Sequence, residues 1–187
     1  MIDAFPETIP WGLLAFLYGL AGFGYIITAT YLPVMAQSLT NEIIATHLWS
    51  LVGLGALLSC YFWAYIAFKI GEIKALSINL LSQSLFVGLS YFNDVAFLAL
   101  ISALGVGLTF MGTTILVMRL ARKTASPKAM NLLGIVTFTY GIGQIVGPIL
   151  TAIMSDETGT IHAVILLASF ALFTAGLIPF YYQRKRS

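Results

Sequence analysis

Thr137, Tyr140, Gln144, Gly147 and Thr151 follow one another at steps of three and four residues, which puts them on one face of a helix. The opposite face, Ile135, Phe138, Ile142, Ile145, Ile149 and Ile153, suits lipid. Hydrocarbon offers no hydrogen-bond partner, so the polar face must meet protein or a water-filled cavity. Two other apolar runs carry comparable stripes: Ser102, Gly105, Thr109 and Gly112 in one, Tyr18, Gly22, Tyr25 and Thr28 in another. Such hydroxyl and amide groups can hold a solute by hydrogen bonds. Small and polar stripes also serve to pack helices, and Gly143 with Gly147 forms a GxxxG pair of that kind. Tyr25, Tyr140 and Gln144 are too large for close backbone approach and need a partner. The candidates for a cavity wall are therefore Tyr25, Thr28, Thr109, Thr113, Thr137, Tyr140 and Gln144.

The stretch "GIGQIVGPIL", residues 141–150, adds a mechanical feature. Pro148 has no N–H, and its ring collides with the carbonyl of Gln144. The spacing predicts a bend between these residues. Glycines 141, 143 and 147 let another helix approach the bend. Gly143, Gly147 and Pro148 are the candidates for a gate, with a static kink as the plainer alternative.

Other chemistries find little support. Cys60 is the single cysteine, so no internal disulfide and no cysteine-based zinc site is possible within the chain. No His/Cys/acid cluster and no GxxxxGK[ST] loop is present, so neither metal nor ATP is expected. Ser90 and His162 fall near the same surface, where an intramembrane serine protease is conceivable. Tyr91 follows Ser90, in place of the glycine of the rhomboid-type G-x-S-G pattern. The expectation is a protein without enzymatic activity, cofactor or nucleic-acid partner.

These stripes need helices that cross a bilayer, and the composition supplies them. Of 187 residues, 59% are hydrophobic and only 9% are charged. Ordinary globular domains carry roughly 25% charged residues. A spanning helix needs about 20 mostly apolar residues, and six segments qualify: residues 11–37, 45–68, 75–92, 95–118, 129–154 and 161–182. The third carries Asn79, Ser82, Gln83 and Ser84, which is polar for a peripheral helix. Connections are short, so the fold class expected is all-α, a single bundle of six transmembrane helices over residues 1–187. Lys69 and Lys74, then Arg119, Arg122, Lys123 and Lys128, then Arg184, Lys185 and Arg186 are all nine basic residues, and six spans place them on one side. Glu42, Asp94, Asp156 and Glu157 fall on the other. The positive-inside rule then puts both termini in the cytoplasm. Trp11, Trp63, Tyr181 and Tyr182 are expected at the inner interface, Trp49 and Tyr91 nearer the outer one. None of the seven acids falls mid-span.

The segments "YGLAGFGYIITATYLPVMA", "GLTFMGTTILVMRLARK" and "YGIGQIVGPIL" resemble the seventh, tenth and eleventh helices of a bacterial transporter group, YbfB/YjiJ-like, of the major facilitator superfamily. The loop "FKIGEIKAL" is similar to that superfamily's D-R-x-G-R-R signature in degenerate form: Lys69 and Gly71 fit, Phe68 replaces an acid, and Glu72 and Ile73 replace basic positions. The resemblance covers essentially the whole chain and makes it like a C-terminal six-helix half.

The resemblance implies a secondary transporter in the bacterial inner membrane. Two halves rock about a midplane site, and helices one, two, four and five of each half line or gate the cavity. It implies a small-molecule substrate, and a partner: an N-terminal six-helix half or a second copy of the chain. A complete transporter of this kind has two such halves, about twice this length. The favoured expectation is a fragment, the alternatives a genuine half acting as a dimer or a non-transporting assembly partner. If the intact protein couples to protons, the carboxylate is expected in the other half.

Overall fold

The computed structural model describes residues 9–37, 42–92, 95–124, 131–158 and 161–184. Asp94 and most of the "RKTASPK" connection lie outside them. Among the described residues the chain is all-helical, with six helices long and apolar enough to span a membrane. They are α1 (Trp11–Gln37), α2 (Glu42–Ile70), α3 (Glu72–Leu89), α4 (Ala96–Lys123), α5 (Leu132–Thr158) and α6 (Ile161–Arg184), with a 3₁₀ turn at Ser90–Phe92.

Apolar burial alone cannot drive helices together in lipid, so close packing and hydrogen bonds must do it. Glycine supplies the close approach. A Cβ on Gly143 would strike the carbonyl of Gly19, and one on Gly22 would strike the carbonyl of Tyr140. These contacts seat α5 on α1 with both running the same way. Gly55 and Gly107 seat α2 on α4 likewise: a Cβ on either would meet the carbonyl of Leu104 or of Val52. Gly24 admits Leu172 of α6 against α1, and Gly176 of α6 admits Leu81 of α3. Between the pairs lies a core of fully buried side chains, among them Leu14, Leu17, Leu76, Leu80, Leu116, Ile165 and Leu172.

The polarity of α3 has a structural cause. Ser77 donates to the carbonyl of Gly176, and Ser84 donates to that of Ser169 at 2.7 Å. Ser169 answers by donating to the carbonyl of Ser84 at 2.9 Å. Asn79 donates to the carbonyl of Thr109 at 3.0 Å. The helix is polar because it is sewn to α6 on one side and α4 on the other.

At the end of the bundle where α2 meets α3, Gly71 has φ 91°. Side chains with a Cβ disfavour that region, so the two helices can adjoin with one residue between them only because it is glycine. Glu72 opens α3 there, and its Oε1 lies 3.0 Å from Lys123 Nζ at the end of α4. An acid in the first turn and a base in the last also complement the two helix dipoles.

The flanking helices are covered least. Only 28% of the α2 span and 22% of the α5 span are buried, against 56% of the α4 span. Leu57, Tyr61 and Phe68 on α2, and Phe138, Ile145 and Ile149 on α5, stand exposed.

Candidate functional site

Tyrosines at Tyr18 and Tyr25 lie two turns apart on α1, hence on one face. Tyr140 comes to the first of them from α5. Their rings stack with centroids 4.4 Å apart and planes 29° apart. Gly22, one turn above Tyr18, provides the room: a Cβ there would stand 3.0 Å from the Tyr140 ring. From α4, Phe110 stacks on Tyr25 with centroids 3.9 Å apart and planes 8° apart. Thr114, one turn further along α4, accepts the Tyr18 hydroxyl at 3.2 Å. Three helices thus meet at mid-span on a cluster of four rings and a threonine.

This cluster carries hydroxyls and no charge. Among the described residues, Lys, Arg, His, Asp and Glu occur only near the helix ends. The Tyr140 hydroxyl is buried without a hydrogen-bond partner, and so is the Thr28 hydroxyl. A buried unpaired polar group costs about 1–3 kcal/mol, so each calls for a partner that a solute, water or another chain supplies. The cluster can hold a flat or apolar part of a solute by stacking and offer it phenolic donors from Tyr25 and Tyr140. It carries no carboxylate, imidazole, amine or thiol.

A second arrangement lies behind it on α4. The Ser59 hydroxyl of α2 accepts the Gly112 N–H at 2.7 Å and donates to the carbonyl of Leu108. Those two backbone groups are partners in a regular helix, four residues apart. The Trp63 indole N–H also donates to the Leu108 carbonyl, at 2.9 Å. Thr113 donates toward the Asn79 and Gln83 side-chain oxygens and back to the carbonyl of Thr109. Ser59, Asn79, Gln83, Thr109 and Thr113 are all buried. Trp63, expected at the lipid interface, is instead 2% exposed, because Gly112 leaves a slot for its ring.

The structure places the predicted wall residues in four settings. Tyr25 and Tyr140 belong to the mid-span cluster. Thr109 and Thr113 belong to the α3–α4 network, with the Thr109 hydroxyl bonded back to Gly105 at 2.8 Å. Thr28 is buried at 1% exposure on the side of α1 that faces the core. On α5, Thr137 is exposed with its hydroxyl bonded back to Leu133 at 2.8 Å, and Gln144 is half-buried. Gly143 and Gly147 are pressed against α1, whereas a Cβ on Gly141 would meet nothing within 4 Å. Pro148 lies within α5, which is helical on both sides of it. Tyr18, Phe110, Thr114 and Ser59, which these contacts bring in, are not among the wall residues that the sequence singles out. Tyr18 lies in a polar stripe, but nothing in the sequence shows which helix it faces.

Ser90 does not face His162 as a nucleophile would face its base. Its hydroxyl donates to the carbonyl of Val87 at 2.6 Å, and His162 lies against the Tyr91 ring, 4.7 Å between centroids. Among the described residues no group of His, Cys, Asp and Glu could hold a metal ion.

A family model described as "Uncharacterised MFS-type transporter YbfB" matches residues 3–180. No curated protein and no solved structure matches the chain.

Proposed function

The chain belongs to the YbfB-type family of major facilitator transporters, and from that premise we propose that it is a six-helix half of a secondary transporter. As a multi-pass membrane transporter it works in a lipid bilayer on a small solute. Its six spans form one bundle, and both termini face the cytoplasm of a bacterial inner membrane. The partition of the basic residues supports that orientation. Transport proceeds by alternating access, with this half rocking against a second one about a midplane site.

The observation that carries the reading is the mid-span cluster of Tyr18, Tyr25, Phe110, Thr114 and Tyr140. A packed bundle needs no unpartnered phenol at that depth; a solute wall does. Tyr25, Thr28, Thr109, Thr113, Thr137, Tyr140 and Gln144 are proposed as the residues that form or back this wall. Gly143, Gly147 and Pro148 are proposed to shape its gate on α5.

The partner is an N-terminal-type six-helix half, seated along the exposed flanks of α2 and α5. A second reading pairs two copies of the chain. Both flanks are open at once, so α2 of one copy can meet α5 of the other twice over, closing a two-fold assembly.

The test is uptake into vesicles that hold the chain with a co-expressed candidate half, against vesicles that hold it alone. Uptake in the first set only supports the two-half reading, and uptake in both supports the paired copies. A chain that moves no member of a broad solute panel in either set is not a transporter half.

A further inference from the structure

The hydroxyls of the mid-span cluster fall into two groups. Tyr18 is buried and donates to Thr114, and Thr114 donates back to the Phe110 carbonyl at 3.4 Å. Those two are satisfied within the bundle. Tyr140 Oη is buried with no partner, and Tyr25 is half-buried with its ring on Phe110. We propose that the part of the solute meeting this half is an uncharged planar ring carrying a hydrogen-bond acceptor, a carbonyl oxygen or a ring nitrogen, which the phenols of Tyr140 and Tyr25 take up. This rests on the transporter reading above and names what that reading leaves open, the chemical class of the solute.

Each feature of that ring answers a feature of the wall. A charge at mid-bilayer is costly unless a countercharge lies beside it. Among the described residues the charged side chains of this half lie only near the helix ends, so the cluster has no countercharge to give. An unpaired buried phenol is relieved by donating its proton, and the solute must then bring an acceptor. An organic cation can sit over a ring face, but it leaves the Tyr140 proton without an acceptor. Planarity follows from the way the rings already pair. Tyr18 lies on Tyr140 and Tyr25 on Phe110 with planes 29° and 8° apart. A flat ring prolongs an offset stack of this kind, and a saturated ring of the same size does not.

Tyr140 is the residue that sets this preference. A Cβ on Gly22 would strike the Tyr140 carbonyl, so α5 is seated on α1 at this level. The bond from Tyr18 to Thr114 fixes the ring on which Tyr140 lies. Packing thus places the Tyr140 ring and leaves its hydroxyl over. Tyr25, two turns along the same face of α1, adds the second donor. Tyr25, Phe110, Thr114 and Tyr140 are half-buried, which puts the cluster at the edge of the packing of this half, on the side open to a solute. The Tyr140 hydroxyl itself is covered, so binding uncovers it.

The experiment is ¹³C NMR of the full chain in lipid nanodiscs, with tyrosine labelled at Cζ and the two resonances assigned through Tyr140→Phe and Tyr25→Phe. The probes are benzamide, cyclohexanecarboxamide, benzoate and benzyltrimethylammonium. Benzamide is expected to shift both resonances saturably, and the other three to bind about tenfold more weakly. Tyr140→Phe, read at Tyr25, weakens benzamide about fivefold, the loss of one hydrogen bond. Tyr181→Phe, at the exposed inner end of α6, leaves the affinity unchanged. If Tyr140→Phe does not insert, Tyr25→Phe read at Tyr140 makes the same comparison. The solute class is overturned by no saturable shift with benzamide, by any other probe binding as tightly, or by unchanged affinity in the phenylalanine variant. In vesicles with a working partner half, uptake of charged solutes without benzamide binding overturns the class and keeps the transporter reading. Benzamide binding without uptake of any solute counts against the transporter reading and keeps the preference of the wall.

Discussion

Tyr18 of α1 and Tyr140 of α5 stack over Gly22 with centroids 4.4 Å apart, and only one of the two hydroxyls has a partner. Tyr18 donates to Thr114, while Tyr140 Oη is buried with none. Tyr140→Phe therefore removes a group that costs stability and keeps the ring that packs. The thermal midpoint in detergent should hold or rise, by the equivalent of about 1 kcal/mol. Uptake by the assembled transporter should fall. A drop in stability would show that the hydroxyl is bonded after all, and unchanged uptake would remove Tyr140 from the solute wall.

Gly141 and Gly143 differ in sequence position by two and in surroundings completely. A Cβ on Gly143 would strike the Gly19 carbonyl, whereas Gly141 has open space. Gly143→Ala should destabilise by about 1–3 kcal/mol, the usual range for overpacking. Gly141→Ala should stabilise slightly, since alanine favours helix over glycine by about 1 kcal/mol. Denaturation of the two variants in the same detergent gives the comparison. Equal effects would mean that α1 and α5 are not in close contact.

Asn79 joins α3 to α4 by donating to Thr109 and receiving from Thr113. Asn79→Leu keeps the size and leaves both α4 groups without that partner. The expected loss is about 1–3 kcal/mol, and Asn79→Ser should recover part of it. Thermal unfolding followed by Trp63 fluorescence reads the change, because Trp63 packs beside the same turn.

Pro148→Leu should restore the backbone bond to the Gln144 carbonyl and stiffen α5. Insertion and expression should be unaffected, and transport in the completed protein should be impaired. Wild-type uptake rates in this variant would assign Pro148 to a static kink.

The inner-end ion pair invites a smaller expectation. Lys123 is largely exposed, so Lys123→Gln should cost under about 1 kcal/mol and show little difference from wild type in high salt. A larger loss, measured by denaturation at low and high salt, would mean that the pair locks α3 to α4.

Six apolar runs, their polar stripes and the segregation of charge could be read from order and spacing alone, because hydrocarbon admits only helices with satisfied backbones. The family was legible in the same way, from helix-length motifs. What spacing fixes is a face of a helix; it does not say what that face meets. Thr109 and Tyr140 both lie on polar stripes, yet one is bonded within its own helix beside α3 and the other stands unpartnered beside α1. Asn79, Gln83 and Ser84 make the third span polar for no reason visible in the sequence, and the reason lies in two carbonyls and a threonine hydroxyl of two other helices.

The sequence by itself determined how many helices are long and apolar enough to cross a bilayer and which of them carry hydroxyls. Only the tertiary structure decided that Tyr140 would lie on Tyr18, that Gly143 rather than Gly141 would touch α1, and that Ser59 would bond to the α4 backbone. Each of those outcomes depends on the mutual rotation and depth of two helices, which packing between distant segments sets and local spacing does not encode.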